Sequence, residues 1–193
     1  VYLVGGPGVG KSALMDALTL GYDRALLGDQ PRREQLYPTG AMDTPGWRTT
    51  TPVAVELGAR VGRHPIGFPG TDAMSMSTIV SAEQWLLSGD AGEETPLILG
   101  EGARLGVRRF VNAVLDAGIR LDLVLVIAES AERRRTNRGS TQKPEWVKGA
   151  FTRATRIHDY VATMGYGEAK AHVLANDVDL QHGVKYLREL TGL

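Results

Sequence analysis

Short, almost wholly apolar runs recur along this chain, and most are followed by a segment whose apolar residues repeat at helical spacing. Tyr2-Leu3-Val4 is the first run, and Lys11 to Leu20 follows it with Leu14, Ala17 and Leu18 on one face. Val53 to Val61 reads as a strand or hairpin edge, and Ser81 to Leu87 as a helix. Pro96-Leu-Ile-Leu-Gly100 predicts a short buried strand, and Ala103 to Ala117 a helix bearing Leu105, Phe110, Val111 and Val114. Leu121 to Ala128 (LDLVLVIA) is the clearest central strand, because only a strand covered on both faces is apolar at nearly every position. Ala131 to Gly139 is an arginine-rich helix. Pro144 then opens a periodic helix with Val147, Ala150, Phe151, Ala154, Ile157 and Val161 on one face. A short strand, His172–Leu174, and a helix, Leu180–Leu190, complete the pattern. The stretch from Gly21 to Trp47 is punctuated by Pro and Gly and predicts no definite element. Strands alternating with helices imply an α/β fold with a doubly wound, mainly parallel sheet.

Composition narrows this little. At 193 residues the chain is expected to be a single domain, with a small lid at about 130–148. Hydrophobic content of 42% and charged content of 23% are ordinary globular values. A formal net charge of zero removes any bulk basic field, although local clusters of arginine remain. With no cysteine there is neither a disulfide nor a thiolate metal site, which fits a reducing, cytoplasmic setting. No run has the length of a membrane span, so no membrane partner is expected. The chain opens on Val1 already inside a strand, so further residues upstream are expected.

The chemistry starts at the first apolar run. Directly after it comes Gly5-Gly6-Pro7-Gly8-Val9-Gly10-Lys11-Ser12, which fits Gly-x-x-x-x-Gly-Lys-Ser in its strand–loop–helix setting. Such a loop turns successive backbone N–H groups inward onto phosphate oxygens, and the helix behind it adds the positive end of its dipole. Lys11 then serves the β- and γ-phosphates of a nucleoside triphosphate such as ATP, and the Ser12 hydroxyl binds Mg²⁺. A transfer reaction needs three more things: a group to orient the attacking oxygen, an anionic ligand near the metal, and cations to absorb charge. Asp72, in the tight loop Gly67-Phe-Pro-Gly-Thr-Asp72, is the candidate for the first. Its plainer reading is a helix cap. Glu101, at the carboxyl end of a presumed central strand, is the candidate for the second, as a Mg²⁺ ligand directly or through water, or as a base. Its plainer reading is an acidic residue favoured at a helix start.

Arg134 and Arg138, one helical turn apart in the segment Arg133–Arg138, are the candidates for the third. Glu129 reads as a capping or ion-pairing residue, and Arg104 as the member of the Arg104–Arg109 cluster that faces a phosphate or acceptor. Trp146 reads equally as a base-stacking platform or as core packing. Asn176, in Ala175-Asn176-Asp177, lies where a base-contacting loop is expected. Asp43-Thr-Pro-Gly46 has the spacing of a GTPase switch but does not end an apolar strand, and no Asn-Lys-x-Asp follows, so a Pro-Gly turn accounts for it better. The four histidines have no metal-ligand spacing, and His172 reads as structural.

The order of these features resembles nucleoside and nucleotide kinases of the P-loop superfamily. Val55-Glu-Leu-Gly58, Gly70-Thr-Asp-Ala73, Gly100-Glu-Gly102, Arg138-Gly-Ser-Thr-Gln142 and Trp146-Val-Lys-Gly149 further resemble a bacteriophage-type group, some members of which phosphorylate 5-hydroxymethyluracil in phage DNA. That resemblance implies ATP and Mg²⁺ at Lys11 and Ser12, an acceptor hydroxyl at Asp72, and a lid holding Arg134 or Arg138. It also implies a nucleotide-type acceptor and, for a phage protein, the host cytoplasm. The acceptor is a hydroxymethylated pyrimidine in DNA or a free nucleoside or nucleotide. A competing class is a nucleotide-hydrolysing switch with no acceptor. Neither the oligomeric state nor the choice of ATP over GTP follows from the sequence.

Overall fold

The computed structural model describes residues 1–29, 32–38, 58–61, 70–75, 77–89, 91, 97–164, 167–177 and 179–193. Its strands are β1 (Tyr2–Val4), β2 (Tyr22–Asp29), β3 (Arg32–Pro38), β4 (Gly58–Val61), β5 (Ile98–Glu101), β6 (Leu121–Ile127) and β7 (Ala169–Ala175). Its helices are α1 (Lys11–Leu18), α2 (Thr78–Leu87), α3 (Arg108–Asp116), α4 (Ala131–Asn137), α5 (Pro144–Thr163) and α6 (Leu180–Thr191), with a 3₁₀ turn at Thr71–Ala73. The strands form one sheet in the order β2-β3-β4-β5-β1-β6-β7. The pairs β4–β5, β5–β1, β1–β6 and β6–β7 are parallel, while β2–β3 and β3–β4 are antiparallel.

Alternation along the strands divides the core into two layers. Tyr2, Val4, Leu121, Leu123 and Leu125 point to the side covered by α2, α3 and α5, where Trp85, Leu86, Phe110, Val111, Ile157 and Val161 are buried. Leu3, Leu99, Val124 and Val126 point to the other side, covered by α1 and α6 through Leu14, Met15, Leu18, Val184 and Leu187. Strands buried on both faces have no polar face to display, which is why β6 reads as one apolar run. The chain leaves β1 towards β4, then crosses from β5 over β1 to β6. The carboxyl end of β1 therefore sits at the topological switch point, where open α/β sheets bind their ligands.

Three expectations change. The Pro- and Gly-punctuated stretch after α1 contains the antiparallel pair β2–β3, with a register shift between Leu26 and Gly28. The helix expected from Ala103 starts only at Arg108, and the start of the preceding loop is held on Asp72, whose Oδ1 accepts from Ala103 N at 2.7 Å. The helix expected from Ser81 begins at Thr78. The Asp43–Gly46 turn, Val53–Leu57 and Gly67–Pro69 lie outside the described residues.

His172 is structural, as its place in a strand implies. Its Nε2 bonds the buried Asp122 at 2.9 Å and its Nδ1 meets the Tyr186 hydroxyl at 2.9 Å, while Arg120 pairs with Asp122 at 3.0 Å. No helix among the described residues is long and apolar enough to cross a membrane.

Candidate active site

The loop between β1 and α1 is shaped by what lies against it. Gly10 stands at the N-cap of α1, no side chain caps that helix, and its first turn holds no acidic residue. The unpaired N–H groups at such a helix start are suited to an anion. Gly8 has φ +88°, and a Cβ there would strike the Ala131 carbonyl oxygen and stand 2.8 Å from Arg135 Cγ. Helix α4 thus rests directly on the loop, and only glycine permits the approach. From the side of β7, the Asn176 amide donates to Val9 O at 2.8 Å, while Arg134 donates to Val9 O at 3.3 Å and Asn176 O at 2.6 Å. Asp177 fastens the start of α4, accepting from Glu129 N, Ser130 N and Ser130 Oγ at 2.7, 2.9 and 2.7 Å. Those bonds lower its pKa to about 2, the Ser130 hydroxyl contributing most.

Lys11 Nζ donates to Gly5 O at 3.0 Å and Gly6 O at 3.1 Å, so the ammonium stands at the Gly5–Gly6 end of the loop. Burial holds its pKa below the usual lysine value. Glu101 and Asp72 pull the other way, and the positive charge of Arg138 adds to the lowering. Two carboxylates and a guanidinium thus lie close enough to act on one ammonium. Ser12 Oγ donates to Glu101 Oε2 at 3.1 Å, joining the first turn of α1 to the end of β5.

Glu101 is almost wholly buried, and its neighbours explain how. Thr71 Oγ1 donates to Glu101 O at 2.9 Å, and the Tyr2 hydroxyl lies 2.7 Å from Thr71 Oγ1 while donating to Gly102 O at 3.0 Å. Burial raises the Tyr2 pKa well above the phenol range, so it remains a neutral donor. Gly70 has φ +66°, and a Cβ there would come within 2.7 Å of Glu101 Cγ. Asp72, by contrast, is exposed on the rim of the same cluster.

The fold therefore brings Lys11, Ser12, Asp72, Glu101, Arg134, Arg138 and Asn176 to one end of the sheet. Asn176 bonds the loop's backbone at Val9 O, Arg134 divides its bonds between Val9 O and Asn176 O, and Arg138 is exposed and bonds Arg134 O at 3.3 Å. Arg104 is exposed, with its Nε on Met74 O at 3.2 Å. Arg109 pairs with Glu83 of α2 and Arg108 lies over the Tyr160 ring at 4.5 Å, so both serve packing. Trp146 is 50% exposed and is not core.

Two residues at the loop have no local sequence signal. Arg135 lays its stem on Gly8 and buries an Nε that has no hydrogen-bond partner among the described residues. Phe151 packs against Gly6. A third, Tyr2, had a faint one: a tyrosine inside a buried apolar strand requires a partner for its hydroxyl.

The family model for P-loop Nucleotide Kinase3 matches residues 1–185. The chain belongs to that P-loop nucleotide kinase family. The match covers the loop, the Ser12–Glu101 pair and both helices that rest on the loop, so the whole site falls within it. A search of the curated proteins gave no match, and neither did a search of the solved structures.

Membership implies a nucleotide such as ATP together with Mg²⁺, and the residues present fit both. The uncapped start of α1 and the glycine loop suit phosphates, and the Ser12 hydroxyl with the Glu101 carboxylate offers the hard oxygen donors that Mg²⁺ takes. Among the described residues no three acidic or histidine side chains gather into a metal cage. A magnesium shared with phosphate oxygens and water does not need one.

Proposed function

We propose that this nucleotide kinase transfers the γ-phosphoryl of ATP to a hydroxyl of a nucleotide-type acceptor, and that the acceptor is 5-hydroxymethyluracil in DNA. The observation behind the transfer reading is the arrangement of Asp72 and Glu101. One carboxylate is buried on Ser12, the other is exposed at the rim, and both act on the Lys11 ammonium. A site for hydrolysis needs the first; the second gives an acceptor hydroxyl its base.

In this reading the backbone N–H groups of Gly6 and of Gly8 to Ser12, with the Lys11 ammonium, hold the β- and γ-phosphates. Ser12 and Glu101 would hold Mg²⁺, which when bound neutralises charge on those phosphates. Asp72 accepts the hydroxyl proton as the acceptor oxygen bonds to the γ-phosphorus. The bond from that phosphorus to the bridging oxygen breaks, and ADP departs with the electron pair. Arg138 supplies a mobile cation for the moving phosphoryl if 130–148 acts as a lid. Arg134 and Asn176 keep the loop in shape, and the rim of Asn176–Asp177 borders the base of the donor.

The DNA acceptor is supported by the resemblance to phage kinases and by exposed cations on α4 and α5 and at their ends: Arg133, Arg138, Lys143, Lys148, Arg153 and Arg156. Zero net charge favours a free nucleoside or nucleotide instead. The test incubates the enzyme with γ-labelled ATP and nucleosides, mononucleotides, plain DNA and hydroxymethyluracil DNA. Label should enter hydroxymethyluracil DNA and fall steeply with added salt, as phosphate contacts require. Asp72→Ala should cut transfer by about 10²–10⁴-fold. Rapid ATP turnover without acceptor, unchanged in Asp72→Ala, identifies a hydrolytic switch and overturns the proposal.

A further inference from the structure

The apolar face of α5 is buried at Ala150, Ala154, Ile157 and Val161, yet Phe151 beside it remains 44% exposed. Helical periodicity alone assigns it to the core. Its surroundings do not. A Cβ on Gly6 would lie 3.6 Å from Phe151 Cβ and 3.7 Å from Cδ2, so the ring sits against the second residue of the phosphate loop. Gly6 O is also one of the two carbonyls that fix Lys11 Nζ. The ring therefore flanks the end of the loop where the ammonium marks the terminal phosphates. An in-line acceptor must bring its hydroxyl to that end, close to an exposed, uncharged aromatic surface.

We infer that Phe151 is a positioning residue for the acceptor, forming the wall on which a planar heteroaromatic ring, such as a nucleobase, lies while its hydroxyl meets the γ-phosphate. This rests on the kinase reading above and adds the residue that holds the acceptor's ring. A phenylalanine has no hydrogen bond with which to read base identity, so it selects acceptors bearing a flat ring over those without one, whatever the base. A leucine at 151 keeps an apolar contact on Gly6 and removes only the aromatic face. A tyrosine restores that face.

The test measures binding by calorimetry to enzyme saturated with Mg²⁺ and β,γ-imido-ATP. The probes are 5-hydroxymethyl-2′-deoxyuridine, the four ordinary deoxynucleosides, and 2-deoxyribose as the base-less control. Base-bearing probes should bind the wild type and 2-deoxyribose should not. Phe151→Leu should weaken the base-bearing probes by about tenfold to a hundredfold. Phe151→Tyr should restore them, and the affinity for β,γ-imido-ATP should stay within twofold throughout. Probe binding unchanged in Phe151→Leu overturns the inference, as does a parallel loss of β,γ-imido-ATP affinity, which marks a mere loop support. Failure of every base-bearing probe on the wild type also overturns it. Transfer of label with no effect of Phe151→Leu sinks the inference and leaves the kinase reading. Probe binding at Phe151 without transfer to any acceptor sinks the kinase reading instead.

Discussion

Asp177 shows how much one exposed side chain can organise. Its carboxylate takes three bonds from residues 129 and 130 and so ties the β7–α6 loop to the start of α4, the helix that lies on the phosphate loop. Its pKa falls from 3.8 to about 2 in the folded protein, so the charged form is favoured by folding. The stabilisation is present above pH 3.8 and is lost as the pH falls through about 2. Asp177→Ala should therefore lower the melting temperature at pH 7, and the gap between variant and wild type should narrow below pH 3.8 and close as the pH falls below about 2, as followed by circular dichroism. A gap that persists there rules out the carboxylate's charge as the cause. In the sequence Asp177 was only the neighbour of Asn176, because its partners lie 47 and 48 positions away.

At the scale of elements, the phosphate loop is held between β1 and two later helices. Helix α4 meets it at Gly8 through the Ala131 carbonyl and the Arg135 stem, and α5 meets it at Gly6 through Phe151. Helix α4 has no buried residue of its own, so its place depends on these contacts and on Asp177. Gly8→Ala would put a methyl group into the Ala131 carbonyl and force a left-handed backbone on alanine, at a cost of about 1–2 kcal/mol before any clash. Relaxing that strain takes the free loop out of its phosphate-binding shape, and restoring the shape costs binding the same about 1–2 kcal/mol, so Mg²⁺·ATP affinity measured by calorimetry should fall by about five- to thirtyfold. Equal affinity in the variant would mean that α4 does not shape the loop. The helix itself was visible in the sequence as an arginine-rich segment. The sequence singled out Arg134, which does reach the loop at Val9 O, but not Arg135, because that depends on the rotation at which α4 docks.

For the whole molecule, the site is a meeting of distant segments at the carboxyl ends of β1, β5 and β7. A ligand bound there links those segments in the folded state alone. Mg²⁺·ATP at about a hundred times its Kd should stabilise the protein by about 2.7 kcal/mol. For a chain of this length that corresponds to a rise of roughly 5–10 °C in melting temperature. Lys11→Ala should abolish the rise while leaving the melting temperature without nucleotide close to that of the wild type. A full shift in Lys11→Ala would place the nucleotide elsewhere.

Features written in consecutive residues are legible without the fold. The Gly5–Ser12 loop has strand, turn and helix start within twelve positions. The apolar run of β6 needs no partner to be recognised, and Glu101 is marked by its place at a strand's end. Tertiary structure decided everything that depends on two segments meeting. It set Glu101 on Ser12 across 89 positions and turned Arg134 and Asn176 onto Val9. It also left Phe151 at the loop when its periodicity predicted the core. Local pattern fixes which face of a helix is apolar. How far that face is covered depends on which elements pack over it, and Phe151 meets the phosphate loop at Gly6 while staying 44% exposed.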